Sequence, residues 1–173
     1  MLATIPGGAI GFLLDHFCQN ALNMPIIIAI ALIVMGIVLY IVDKNAKNKV
    51  KYEEMTLKQT FTIGLSQALA FIPGVSRSGI TITTARAMGV TREAATKFSF
   101  LLSTPIVFAA TVLKFKDFVF SIPFIIGVLA SFLVGLVVIK FLLKYIKKGS
   151  FKVFAIYRVI VGLLIIIVTI IKN

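Results

Sequence analysis

Residues 25–42 run for eighteen positions without a charged side chain, and 92–113, 122–143 and 151–171 form three more long, mostly apolar stretches. About 20 apolar residues in a helix cross the ~30 Å hydrocarbon core of a bilayer. These runs read as transmembrane helices, so the fold class is an all-α integral membrane protein, a single polytopic domain over 1–173. Composition agrees, with 60% of the 173 residues hydrophobic and 14% charged. A domain of this size in water could not bury so much apolar surface.

The formal net charge is +12. Nucleic-acid binding does not follow, because the basic residues sit between apolar runs, where a membrane protein places its cytoplasmic charge. The single cysteine, Cys18, permits no intrachain disulfide and reads as a small buried hydrophobe. The single histidine, His16, follows Asp15; the pair reads as a polar helix end at the interface rather than a proton-transfer site.

Two stretches are too short to span. Residues 2–14 look like the back half of a clipped helix, without the basic flank of a signal peptide. Residues 59–88 hold two half-length apolar segments joined by Pro73-Gly74-Val75-Ser76-Arg77-Ser78-Gly79. Such a pair reads as a re-entrant helical hairpin; a single kinked helix would leave Arg77 facing lipid in mid-membrane. Thr91 has the chemistry of an N-cap for the span that follows, which carries a kink position at Pro105. Charge supports the hairpin independently. With the 43–58 loop in the cytoplasm and the hairpin returning to it, thirteen of the 18 basic residues fall inside, three outside and two, Arg77 and Arg158, within the membrane; the C-terminus ends outside. A continuous span at 59–88 would put both later basic clusters outside.

The turn at 73–79 is the polar island at membrane depth. Gly74 and Gly79 allow close backbone approach and unusual dihedrals, and a helix beginning near Ile80 would offer free N–H groups and a positive dipole end. Arg77 adds a permanently charged fork that matches phosphate oxygens, flanked by the hydroxyls of Ser76 and Ser78. Together Gly74, Ser76, Arg77, Ser78 and Gly79 make a candidate phosphate cradle, with Ser76, Arg77 and Ser78 the candidate catalytic groups. Arg158 lies near a span end and reads as a snorkelling structural residue. Thr81, Thr83 and Thr84 read as hydroxyls bonding back to helix carbonyls. The six acids, Asp15, Asp43, Glu53, Glu54, Glu93 and Asp117, fall in loops or at span ends, so no metal ligand or general base is placed beside Arg77.

Gln67-Ala68-Leu69-Ala70-Phe71-Ile72-Pro73-Gly74-Val75-Ser76-Arg77-Ser78-Gly79 closely resembles the second signature of the bacterial undecaprenyl-diphosphatase family, the bacitracin-resistance membrane phosphatases. Phe98-Ser99-Phe100-Leu101-Leu102-Ser103-Thr104-Pro105 and Phe154-Ala155-Ile156-Tyr157-Arg158 resemble its later stretches, in the same order and spacing. The resemblance implies the second half of an inverted-repeat fold in the bacterial plasma (inner) membrane. It implies hydrolysis of undecaprenyl diphosphate, a polyprenyl diphosphate lipid substrate, to undecaprenyl phosphate and phosphate, which recycles the carrier for wall synthesis and confers bacitracin resistance. Arg77 would grip the diphosphate, with Ser76 and Ser78 as hydroxyl partners. It also implies a divalent cation, calcium or magnesium, and admits a homodimer. The family's earlier signature, E-G-x-T-E-F-x-P-x-S-S-T-G-H, has no counterpart here: Gln67 and Phe71 take the places related by symmetry to its two glutamates, and no S-S-T-G precedes His16. The expectation is therefore the C-terminal two-thirds of such an enzyme, beginning inside a spanning helix and lacking the acidic half of its site. A non-enzymatic polyprenyl-phosphate binder or translocator is the alternative, since re-entrant hairpins and inverted repeats also build transporters. In a cysteine-labelling scan of sealed cells, residues 43–58 should be protected from impermeant reagents; labelling there would reverse the topology.

Overall fold

The computed structural model describes residues 25–172 except 114, 116, 117 and 119. The clipped stretch 2–14, the Asp15–His16 pair, Cys18 and the charged residues Lys114, Lys116 and Asp117 lie outside the described residues. Six α-helices follow one another: α1 (Pro25–Asn45), α2 (Leu57–Ser66), α3 (Arg77–Ala87), α4 (Arg92–Leu113), α5 (Ile122–Lys148) and α6 (Lys152–Lys172). Two short 3-10 turns, Tyr52–Glu54 and Gln67–Phe71, precede and follow α2. There is no strand among the described residues, only an isolated bridge between Val50 and Val90. Helices α1, α4, α5 and α6 are each long and apolar enough to cross a membrane. The fold is that of an all-α membrane protein.

Local chemistry starts and stops these helices. Thr56 caps α2 in a reciprocal box with Gln59, Ser76 caps α3 by accepting from the Gly79 N–H, and Ser121 caps α5 by accepting from the Phe124 N–H. Thr91 accepts from the Ala94 N–H at 3.3 Å at the head of α4. Helix α3 ends where Gly89 takes φ +80°, a left-handed conformation open to glycine at little cost. Helix α5 runs on to Lys148, so Lys144 and Lys147 belong to its last turns instead of following it.

Between α2 and α3 the chain doubles back. The Gln59 side-chain amide donates to the Met88 carbonyl at 3.2 Å, which brings the two ends of the hairpin together. The turn between its limbs is held against α1. Gly74 has φ +90°, and a Cβ there would lie 2.5 Å from the Ile28 carbonyl oxygen, so both conformation and space require glycine. Helices α1 and α6 approach each other closely at Gly36 and Gly162, as small residues permit within membranes.

A buried charge cluster ties the hairpin's open end to the rest. Asp43, in the last turn of α1, accepts from Arg86 Nε at 2.8 Å, from Arg92 Nε at 2.9 Å and from the Phe151 N–H at 3.3 Å. The Arg86 side chain is fully buried, and its other nitrogens bond the Asn48 side chain and the backbone carbonyls of Val90 and Asp43. The sequence reading counted Arg86 among the thirteen basic residues on the cytoplasmic side; in the structure its charge is paired with Asp43 inside the protein. Around this cluster pack Leu39, Ile63, Ile82, Ala85, Val90, Ile146 and Phe151, the main apolar core. The 43–58 loop closes over it, with the Val50 N–H bonded to Gly89 and the Thr91 N–H to Val50.

A side chain at Gly162 would place its Cβ 2.6 Å from Ile33 Cγ1 and 2.9 Å from the Ala29 carbonyl oxygen. Gly162→Val should therefore force α1 and α6 apart and destabilise the protein by about 1–3 kcal/mol. A lowered unfolding temperature in detergent checks this; an unchanged one would count against the seam.

Candidate functional site

Helix α3 begins at Arg77, three residues before the start expected near Ile80, because Ser76 is its N-cap. The shift changes what each residue offers. Ser76 Oγ accepts from the Gly79 N–H at 3.2 Å and lies 3.2 Å from Ser78 Oγ, so one of the two hydroxyls donates to the other and one O–H is left at the turn. Arg77 occupies the first helical position and Ser78 the second, where backbone N–H groups have no intrahelical acceptor. A cation at a helix N-terminus opposes the macrodipole. Arg77 is half-buried there, and its Nη1 is buried without a hydrogen-bond partner among the described residues.

Arg158 joins the same helix end. A Cβ built on Gly79 would lie 2.9 Å from Arg158 Nη2, 3.0 Å from Nη1 and 3.1 Å from Cζ, so the guanidinium rests flat against the glycine. Gly79 has an ordinary helical φ; its role is space, not an unusual dihedral. Arg158 Nη1 too is buried without a partner among the described residues. This corrects the reading of Arg158 as a snorkelling residue: it turns inward to the head of α3. The cue was in the sequence, since the argument that made Arg77 conspicuous, a lone guanidinium in an apolar run, applies equally to Arg158.

The two arginines contrast with Arg86, whose three nitrogens are all bonded. Ser76, Ser78, Gly79 and Arg158 line one part of a cavity of about 210 Å³ whose other walls include Phe100, Phe151 and Phe154. Arg77 and Gly74 are not part of that lining: Arg77 stands at the head of the helix beside it, and Gly74 packs the turn on α1. A second hydrogen-bonded layer holds the helix end. Thr81 Oγ1 lies within 3.2 Å of the carbonyls of Arg77 and Ser78, and 2.8 Å from Ser99 Oγ on α4. Thr83 bonds back to the Gly79 carbonyl, as expected of a helical hydroxyl.

The Arg158 guanidinium, the hydroxyls of Ser76 and Ser78 and the head of α3, with Arg77 beside them, carry hydrogen-bond donors and positive charge. They do not suit a divalent cation. Among the described residues no three Asp, Glu, His or Cys side chains cluster as a metal site. Asp43 is committed to Arg86 and Arg92, and Glu53, Glu54 and Glu93 are exposed away from the cavity lining. No general base stands at the turn among these residues. Gln67 is buried, with its amide donating to the Gly64 carbonyl and its Oε1 unpartnered among the described residues.

Comparison with known proteins matches the sequence to a family. Residues 1–164 match the family described as bacitracin resistance protein BacA. The chain is 43% identical to the undecaprenyl-diphosphatase of Desulforudis audaxviator, over all of this chain and 67% of that protein. It is 46% identical to that of Pelotomaculum thermopropionicum, over 96% of this chain and 64% of the relative, and 36% identical to that of Enterococcus faecalis, over 97% and 64%. The chain thus spans about two thirds of the length of these relatives.

Gly79→Ala tests the seat of Arg158 at the head of α3. The added methyl meets the far end of a flexible side chain, so Arg158 should move while α3 stays intact or gains slightly from the loss of a helical glycine. Binding of inorganic pyrophosphate, followed by calorimetry in detergent, should weaken about tenfold, or ~1.4 kcal/mol. Unchanged binding would remove Arg158 from the site.

Proposed function

We propose that this chain, which belongs to the bacitracin resistance protein BacA family, is the phosphate-gripping part of an enzyme that hydrolyses undecaprenyl diphosphate to undecaprenyl phosphate and phosphate. The observation that carries this reading is the pair of unpartnered guanidinium nitrogens, on Arg77 and Arg158, at one helix N-terminus with Ser76 and Ser78. The names of the relatives supply the substrate.

In this reading the terminal phosphate and the bridging oxygen meet Arg77, Arg158 and the first N–H groups of α3. Water adds to the terminal phosphorus, the bond to the bridging oxygen breaks, and the electron pair leaves on undecaprenyl phosphate. Charge grows on the leaving oxygens in that step, and fixed cations and N–H dipoles lower its energy by being already oriented. Arg is suited to this because it stays charged and offers two parallel donors. Ser76 and Ser78 donate to the same oxygens. The proton of the attacking water needs a base, and the calcium or magnesium implied by the family resemblance needs carboxylates; both would come from outside the described residues. The full-chain match to phosphatases favours this reading over a non-enzymatic binder or translocator. Placement in the bacterial inner membrane, implied by the family resemblance, and the orientation with the C-terminus outside and the 43–58 loop in the cytoplasm, read from the positive-inside rule, belong to the same proposal. So do Gly74, as the pivot of the turn, and a homodimer, as a further arrangement open to test.

The experiment is phosphate release from undecaprenyl diphosphate in detergent with calcium or magnesium, by this chain and by a chain completed with an upstream acidic segment. In the active form, Arg77→Ala should lower turnover by about 10²–10³-fold, and Arg77→Lys should recover little of it. Near-normal turnover in Arg77→Ala would overturn the phosphate-clamp assignment.

A further inference from the structure

We infer that Asp43 is a positioning residue for the anion site, aligning Arg77, Ser78 and Arg158 from the opposite end of the helices that carry them. The inference rests on the oxyanion reading of that site and adds to it a residue remote from the cavity.

Three connections start at the one carboxylate, and each runs along a helix to the turn. The first passes through Arg86, at 2.8 Å, to α3. Arg86 stands in the last turn of α3 and Arg77 at its first residue, roughly two and a half turns away on a rigid rod. The second passes through Arg92, at 2.9 Å and 3.1 Å, to the start of α4. About two turns along α4, Ser99 meets Thr81, whose hydroxyl lies within hydrogen-bond distance of the carbonyls of Arg77 and Ser78. The third passes through the Phe151 N–H, at 3.3 Å, to the start of α6. About two turns along α6, Arg158 lays its guanidinium on Gly79.

The placement of the acid marks it as purposeful. An anion in the last turn of a helix opposes the macrodipole, so Asp43 gains nothing from α1 itself. It is 3% exposed, and the three donors from three other elements satisfy it. The carboxylate therefore fixes where α3, α4 and α6 begin or end relative to α1, and so where their functional residues converge.

The test uses the full chain in detergent, with inorganic pyrophosphate as the probe, calorimetry as the readout and thermal unfolding as the control. Asp43→Glu retains the charge that Arg86 and Arg92 need but displaces it by one methylene. It should bind pyrophosphate about tenfold more weakly without a matching fall in unfolding temperature. Arg92→Gln, at a side chain 27% exposed, perturbs the same cluster more gently and should weaken binding about threefold. A purely structural role would add in full to the effect of Arg158→Lys; a positioning role would add less than in full, because Asp43 acts in part through the residue already altered. Wild-type affinity in both folded variants, or additivity with Arg158→Lys, would overturn the inference while leaving the anion site intact. No pyrophosphate binding by the unmodified chain would overturn the anion-site reading, and this inference with it.

Discussion

One buried carboxylate organises the described structure. Asp43 sits where its own helix disfavours an anion, and two arginines and a backbone N–H from elsewhere in the chain satisfy it. In a low-dielectric setting such a network is strong when every member is bonded and costly when one is missing. Removing one partner of a buried pair costs about 3–5 kcal/mol, largely because the other charge stays behind. Arg86, with no exposed side-chain surface, would be that stranded charge. The hairpin, the start of α4 and the start of α6 all hang from this point, and the loop that closes over it is bonded to Arg86 through Asn48 and to the neighbouring Gly89 and Thr91 through its backbone.

At the other end of α3 the electrostatics run in the opposite sense. Arg77 and Arg158 bring like charges to a helix N-terminus that is itself positive, and neither Nη1 finds a partner among the described residues. Arg86 shows that this protein satisfies a guanidinium fully where the role is structural. Two incompletely bonded ones at one helix N-terminus, beside Ser76 and Ser78, are what supports the proposed anion site. The same geometry explains why no cation site forms there from these residues: positive charge is already in excess.

The bilayer is what allows the rest of the fold to be so open. Leu113, Ile122, Phe141 and Val137 are each more than two thirds exposed, and α5 exposes nearly its whole length. In water such surfaces would associate; in hydrocarbon they carry no penalty. Helix packing then depends on close contact, and the glycines at positions 36 and 162 supply it along the α1–α6 seam. Polar contacts concentrate at the two ends of α3, one neutralising charge and one presenting it.

Much of this was legible in the residues. Apolar run length sets the spanning helices, since each must satisfy its own backbone within about 30 Å of hydrocarbon. The short paired segments around Pro73-Gly74 prescribe a reversal, and Arg77 between two serines marks the turn as the polar point of the hairpin. Local capping rules also hold, although the helix head fell at Arg77 because Ser76 proved a better cap than the apolar spacing implied. Contacts distant in sequence were not legible. Nothing local to Asp43 reveals that Arg86, Arg92 and Phe151 will meet it, and nothing local to Arg158 distinguishes a side chain reaching for the interface from one folded onto Gly79. Those outcomes depend on the crossing of helices and on the space left by a single missing Cβ, which exist only once the chain has packed. The sequence alone determined the solvent, the spans and the residue types at the turn; tertiary structure decided which charges are neutralised and which keep a nitrogen without a partner among the described residues.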